Sequence, residues 1–180
     1  MPITAYDLCG SDYYIQRHDV DLLQKLARLL ESRHPLCINI GAAFGTSSIA
    51  LLAARDDARV VSIDCNPCPE EFENIVRAGY SISGRYIRIL GRSHDVARAW
   101  TFGPVDMVFV DGGHSYADCY GDMALWYPHL RPGGFLAIHD YEADMLPQIK
   151  PAVDDFVATQ PALEFVERIG KLIAYRVKAL

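Results

Sequence analysis

The residues able to do chemistry gather into a few short stretches, each directly behind an apolar run. Gly41-Ala42-Ala43-Phe44-Gly45 separates Cys37-Ile38-Asn39-Ile40 from a helix-forming segment through Ser47, Leu51 and Ala54. Glycine at such a junction lets the backbone approach a ligand closely, and the free N–H groups of a helix N-terminus hold an anionic group. Asp64 ends the next run, Val60-Val61-Ser62-Ile63, where a carboxylate can accept both hydroxyls of a ribose. The same glycines and Asp64 also suit a tight strand–helix turn with a capping carboxylate. Gly91-Arg92-Ser93-His94-Asp95, Asp111-Gly112-Gly113-His114 and His139-Asp140 close three further runs. Histidine titrates near neutral pH, so His114 has the chemistry of a general base.

The elements that must position these residues can be read from periodicity. Leu22, Leu23, Leu26, Leu29 and Leu30 predict a helix over about Asp19 to Ser32. Strand-sized runs follow at Cys37–Ile40, Val60–Ile63, Tyr86–Leu90, Val105–Val110 and Phe135–Ile138, alternating with helical stretches. One helix is expected after Pro69, where proline, Glu70 and Glu71 suit a first turn. A short one is expected over His94 to Trp100. Tyr116, Tyr120, Met123, Tyr127 and Leu130 trace one side of another, with Pro132-Gly133-Gly134 as its stop. A helix over about Gln148 to Thr159 leads to two closing strands, Leu163–Glu167 and Leu172–Val177, joined by the four residues Arg168 to Lys171. This alternation predicts an α/β, Rossmann-like doubly wound sheet of seven strands, mostly parallel, with an antiparallel C-terminal hairpin and helices on both faces. In such sheets ligands sit beyond the carboxyl ends of the strands. Asn39, Gly41, Asp64, Ser93, His94, Asp111, His114, His139 and Asp140 all fall there.

Length and composition set the outer limits. A chain of 180 residues with 51% hydrophobic and 22% charged residues fits one globular domain with a substantial core. Residues 1–35 are expected to form an N-terminal segment and helix, and residues 36–180 the Rossmann-like core. A net charge of −6 disfavours general nucleic-acid or anionic-membrane binding. The first residues show neither a basic n-region nor an apolar h-region, and no apolar run reaches the roughly 20 residues of a bilayer span. With five irregularly placed cysteines, this predicts reduced thiols and a cytoplasmic setting. Cys65-Asn66-Pro67-Cys68 has the spacing of zinc and redox sites, but a structural zinc needs four ligands and no second pair exists. Two loop thiols is the simpler reading.

A dinucleotide is the first competitor for the glycine loop. A dinucleotide fingerprint is G-x-G-x-x-G, its middle glycine making room for a pyrophosphate. Here Ala43 takes that place, so the loop suits a nucleoside with a small carboxylate tail, a description that fits S-adenosyl-L-methionine. From about Leu36 to Tyr141 the sequence resembles the class I S-adenosylmethionine-dependent methyltransferases, and among them methyltransferase family 24, a small-molecule O-methyltransferase branch. The segments Asp106-Met-Val-Phe-Val-Asp111-Gly-Gly-His114-Ser-Tyr116, Leu130-Arg-Pro-Gly-Gly-Phe135 and His139-Asp140-Tyr141 carry the likeness. The resemblance implies that Gly41 and Gly45 flank the methionine part of the cofactor, with Ser47 at the following helix start. It implies Asp64 at the ribose and Ser93 and His94 beside the adenine. The family usually has an acidic residue where this chain has Asn39, near the cofactor's amino group; asparagine keeps a carbonyl acceptor without the charge.

For the catalytic end, the resemblance implies that the strands closed by Asp111 and Asp140 are neighbours, about 4.8 Å apart, so that both carboxylates reach one Mg²⁺ or other divalent cation. His139 stands where a carboxylate is frequent, which leaves room for Mn²⁺, Fe²⁺ or Zn²⁺. His114 lies where catechol-type enzymes place their general base. The implied activity is O-methylation of a small hydroxylated acceptor. The alternatives are a nicotinamide-dependent oxidoreductase, or a cofactor-binding protein of the same fold with weak catalysis. Tyr116 and Tyr141 are candidates to line an acceptor pocket, and Tyr13 and Tyr14 to cover the cofactor. Arg85, Arg88 and Arg92 read as a solvated basic face. No insertion builds a substrate domain, so selectivity falls to short loops, the N-terminal segment or a neighbouring subunit of a homo-oligomer.

Overall fold

A computed structural model of the chain describes residues 1–9, 15–80 and 84–179. Tyr13 and Tyr14 lie outside them. In chain order the elements are α1 (Ala5–Leu8), α2 (Arg17–Leu29), β1 (Leu36–Ile40), α3 (Thr46–Ala54), β2 (Arg59–Asp64), α4 (Pro69–Arg77), β3 (Tyr86–Leu90), α5 (Ser93–Arg98), β4 (Val105–Val110), α6 (Tyr116–Trp126), β5 (Leu130–Ile138), α7 (Ile149–Ala158), β6 (Leu163–Ile169) and β7 (Leu172–Val177). The strands form one sheet in the order β3-β2-β1-β4-β5-β7-β6. The first five run parallel; β7 is antiparallel to both β5 and β6. The expected doubly wound sheet with its C-terminal hairpin is therefore present.

β4 sits near the middle of the sheet, and every one of its residues is buried. Apart from Asp106 the strand is apolar, as suits a strand covered on both faces. One face carries a core around Trp126, Met123, Leu136, Val153 and Phe156. The other packs Leu22, Leu23, Leu26, Leu51 and Leu52 against Phe109 and Phe135. The second core includes Ala5, Ile15 and Val20, so the N-terminal helices lie on the sheet.

Three local expectations are corrected. α6 stops at Trp126, and Tyr127–His129 form a single 3₁₀ turn before β5 begins at Leu130. Pro128 has no N–H to continue the helical ladder. Pro132-Gly133-Gly134 therefore lies inside β5, in the stretch where the ladder with β4 shifts register between Val105↔Leu130 and Met107↔Phe135. At the hairpin the ladder continues to Ile169↔Leu172, leaving a two-residue turn with Gly170 at φ +55°, a conformation glycine adopts readily. Two of the three arginines do not form a solvated face, while Arg92 is exposed at the cavity rim. Arg85 Nη1 donates to the carbonyls of Leu52, Arg55 and Ala58 at 3.0–3.2 Å. Arg88 Nε lies 2.8 Å from the carboxylate of fully buried Glu71.

Candidate active site

The carboxyl ends of β1, β2, β4 and β5 open onto a cavity of about 520 Å³, within the range of small-ligand pockets. Gly41, Asp64, Ser93, His94, Asp111, His114, His139 and Asp140 line it; Asn39, Gly45 and Ser47 do not.

Gly41 is the tightest point. Its φ is +84°, and a Cβ built there would lie 2.0 Å from the backbone oxygen of Asp111. The close approach that demands glycine is therefore to the end of β4. Its N–H donates to the Ile63 carbonyl at 2.9 Å. Ala43 also has positive φ, +42°, and the loop is held by Asp64. That carboxylate accepts from the N–H groups of Ala42 at 2.8 Å and Ala43 at 3.4 Å with one oxygen, and of Asn66 at 2.8 Å with the other. The capping arrangement thus exists at the cavity wall, and a carboxylate has lone pairs left for further donors.

Asn39 lies beneath this loop, with none of its surface exposed. Its Nδ2 donates to Ser48 Oγ at 2.9 Å, and its Oδ1 accepts from Ser47 Oγ at 3.1 Å. These bonds tie β1 to the first turn of α3. Gly45 caps that helix at φ +82° and backs onto Glu71.

On the opposite wall Ser93 Oγ donates to Asp122 and accepts from Trp126 Nε1 at 3.0 Å. The His94 Nε2 is 3.3 Å from Asp122 Oδ1, and its ring lies on Gly121, where a Cβ would come within 2.6 Å of Cε1. Asp122, only 3% exposed, was not legible as a site residue. Its one sequence signal is a carboxylate on the Cys119–Met123–Trp126 side of α6.

The floor of the cavity is a chain of histidines and carboxylates. β4 and β5 pair up to Val110↔Ile138, which sets Asp111 beside His139. His139 Nδ1 faces Asp111 Oδ1 at 3.1 Å and Asp140 Oδ1 at 3.6 Å. Its Nε2 faces Asp19 Oδ2 of α2 at 3.3 Å. Asp140 holds φ +57°, an unusual backbone state for a non-glycine residue that recurs at functional sites. Its other oxygen lies 3.2 Å from His114 Nε2, on a side chain 48% exposed.

These groups shift one another's protonation. Burial pushes the Asp111 carboxyl up, opposed by His139. The hydrogen bond to Asp140, with nearby carboxylate charge, raises His114 against the effect of its burial. Burial opposes charge on His139, yet the Asp111 carboxylate and hydrogen bonds to Asp111, Asp140 and Asp19 hold it well above its ordinary value. Burial likewise opposes ionisation of Asp140, but hydrogen bonds from His114 and His139 keep its carboxyl below the usual range.

Asp111, His139 and Asp140 each offer one ligand atom, all within 4.8 Å of one another. Two carboxylates and an imidazole nitrogen converging on one point suit a divalent cation. Tyr116 and Tyr141 do not line the cavity. Tyr116 stacks on Tyr120 and donates to Asp155, while Tyr141 donates to Asp154. Cys65 is exposed at the cavity lip, Cys68 is half-buried, and both are free thiols.

The sequence profile of methyltransferase family 24, a methyltransferase domain, matches residues 38–141. Protein R132 of Acanthamoeba polyphaga mimivirus, whose function is uncharacterised, is 25% identical over 160 residues, 84% of this chain and 71% of its own. A Corynebacterium glutamicum protein superposes with a TM-score of 0.79 at 21% identity, covering 93% of this chain and 83% of that one. An O-methyltransferase from Bacillus cereus, solved with S-adenosylhomocysteine, superposes with a TM-score of 0.74 at 17% identity, covering 92% and 84%. The matched segment runs from β1 through the end of β5 and holds every cavity-lining residue named above, so the chain belongs to methyltransferase family 24, among the class I S-adenosylmethionine-dependent methyltransferases.

Proposed function

We propose that the chain methylates a hydroxyl oxygen of a small acceptor, with S-adenosylmethionine along the Gly41, Asp64 and Ser93–His94 wall, a divalent cation at Asp111, His139 and Asp140, and His114 as general base. The observation that carries the reading is the 3.2 Å contact between His114 Nε2 and Asp140, beside the cluster of Asp111, His139 and Asp140. Bound there, the cofactor supplies an activated methyl group and the cation supplies charge that makes a nearby hydroxyl more acidic. Asp140 accepts the Nε2 proton of neutral His114 and leaves Nδ1 to take a proton from the acceptor, the role an orienting carboxylate plays in a triad. Asp64 and the N–H groups around Ala42 and Ala43 hold the loop in place, and Ser93 and His94 are held by Asp122. With the wall held by these bonds, binding would require little reordering. The B. cereus enzyme of the same fold is an O-methyltransferase, which supports oxygen as the acceptor atom. The family match sets the chain apart from nicotinamide-dependent oxidoreductases.

Calorimetry with S-adenosylhomocysteine and with NAD is the first test, and binding of the former alone is expected. Turnover of labelled S-adenosylmethionine on a panel of phenols and sugars, with and without chelator, is the second. Methyl transfer that is lost with chelator and restored by a divalent cation agrees with the proposal. Full transfer by an Asp111→Ala, His114→Ala double variant overturns it.

A further inference from the structure

Asp19 belongs to α2, outside the matched segment and outside the cavity lining, yet it reaches the floor of the site. It is 1% exposed. One oxygen accepts from the Gln16 N–H at 2.8 Å and lies 3.3 Å from His139 Nε2, on a residue 120 positions later. The other oxygen is buried, has no hydrogen-bond partner among the described residues and has His18 Nε2 as an ion-pair neighbour at 3.4 Å. Capping α2 requires only the bond to Gln16, which an exposed carboxylate makes equally well. Burial at 1% exposure, with a contact to the imidazole that follows β5, calls for a second role.

The geometry supplies one. An imidazole that binds a metal through one nitrogen donates its other N–H to a carboxylate or carbonyl, which fixes the ring and raises its basicity. His139 has this layout: Nε2 faces Asp19, and Nδ1 faces Asp111 and Asp140. We propose that Asp19 is the positioning residue of His139, accepting its Nε2 proton so that Nδ1 joins Asp111 and Asp140 in a site for Mn²⁺, Fe²⁺, Co²⁺ or Zn²⁺ in preference to Mg²⁺. The preference follows from the donor set, since imidazole suits the borderline metals and Mg²⁺ favours oxygen ligands with retained water. The inference rests on the cation site proposed above and adds the N-terminal helix to it.

The test is titration of the full chain with Co²⁺, followed by its visible absorption and by calorimetry, with Mg²⁺ as competitor. Wild type is expected to bind Co²⁺ more tightly than Mg²⁺. Asp19→Asn keeps a side-chain oxygen for Gln16 and loses the charge; its Co²⁺ affinity is expected to fall about 10–100-fold. Val20→Ala, a destabilising change on the same helix, is expected to leave Co²⁺ affinity unchanged, which separates positioning from general loosening of α2. Equal Co²⁺ affinity in wild type and Asp19→Asn overturns the inference while leaving the cation site standing. Absence of cation binding in folded wild type overturns the cation site itself. Should Asp19→Asn fail to fold, nitrogen NMR of His139 in wild type with Zn²⁺ decides. A protonated Nε2 with Nδ1 on the metal agrees; Nε2 on the metal refutes.

Discussion

Replacing Gly41 with alanine tests the claim that the site is built by a close approach between the ends of β1 and β4. Two penalties add. Alanine at φ +84° enters the left-handed region, costing about 1–2 kcal/mol. The new Cβ also falls 2.0 Å from Asp111 O and 2.6 Å from its carbonyl carbon. Neither is the end of a flexible side chain, so relief requires the two strand ends to separate. They are joined at this point by the Asp111 N–H to Ile40 carbonyl bond of 2.9 Å. Overpacking that moves backbone costs about 1–3 kcal/mol, for a total of about 2–5 kcal/mol. Gly79→Ala is the control: its φ is +85° with no atom of the described residues within 4 Å of the added Cβ, so only the first penalty applies. Urea unfolding at a common slope gives both values. Gly41→Ala is expected to be the less stable by at least about 1 kcal/mol, and to bind S-adenosylhomocysteine more weakly, while Gly79→Ala binds it normally. Equal stabilities for the two variants refute the reasoning.

Other predictions follow from the same geometry. A general base must be neutral to work, and the hydrogen bond to Asp140 raises His114 above 6.5. The kcat profile should therefore rise through a limb above pH 6.5, and His114→Gln should lower kcat by about 10²–10⁴-fold and remove that limb; a limb that survives the substitution excludes His114. Gly121→Ala places a Cβ against His94 but suits a helix better than glycine by about 1 kcal/mol. Calorimetry should show weaker S-adenosylhomocysteine binding without loss of melting temperature, and unchanged affinity would count against His94 at the cofactor. Hydrogen bonds from Arg55 and from the His34 N–H hold the Asp57 carboxyl at about 2, below its ordinary 3.8. The folded value is the lower one, so this contribution is present above 3.8 and lost as pH falls through 2. Asp57→Asn should flatten the loss of stability over that interval in acid unfolding followed by tryptophan fluorescence, and an unaltered acid transition would assign it to other carboxylates.

The sheet was legible because its signals are local. Each parallel strand is a short apolar run with a polar terminus, and that terminus faces the ligand side whatever the strand order. Asp64, Asp111, His114, His139 and Asp140 could be placed on one rim before strand neighbours were known. Residues whose partners come from distant elements were not. Asp19 reads as a first-turn acid of a helix, and its contact with His139 exists only once α2 lies on the sheet. Asp122 reads as one more charge on α6. Asn39 and Ser47 occupy positions that suggest ligand contact, but the turn at Gly41 directs them under the loop, where they bond to each other. Pro132-Gly133-Gly134 carries the signature of a helix stop, yet Pro128 had already ended the helix, leaving those residues to the register shift in β5.

The arrangement of charge bears on which acceptor can enter. The cavity wall carries Asp64, Asp111, Asp118, Asp122 and Asp140, and among the described residues lining it Arg92 is the only lysine or arginine. Asp64, Asp122 and Asp140 are already bonded to loop N–H groups, to Ser93 or to His114, and three of the wall's side chains are histidines. Five carboxylates thus face one arginine and three histidines on this wall, an acidic balance in keeping with the chain's net charge of −6. An acceptor bearing a carboxylate or phosphate would approach against that balance, whereas a neutral phenol or sugar hydroxyl would not. On the proposed function, recognition of an anionic acceptor by charge is therefore not expected, and shape and hydrogen bonding at the rim around Arg92, Cys65 and His114 are the expected means of selection. A panel of matched acceptors differing only in charge, with the neutral members expected to turn over fastest at low ionic strength, measures this directly; faster turnover of the anionic members would show that Arg92 and the histidines outweigh the carboxylates.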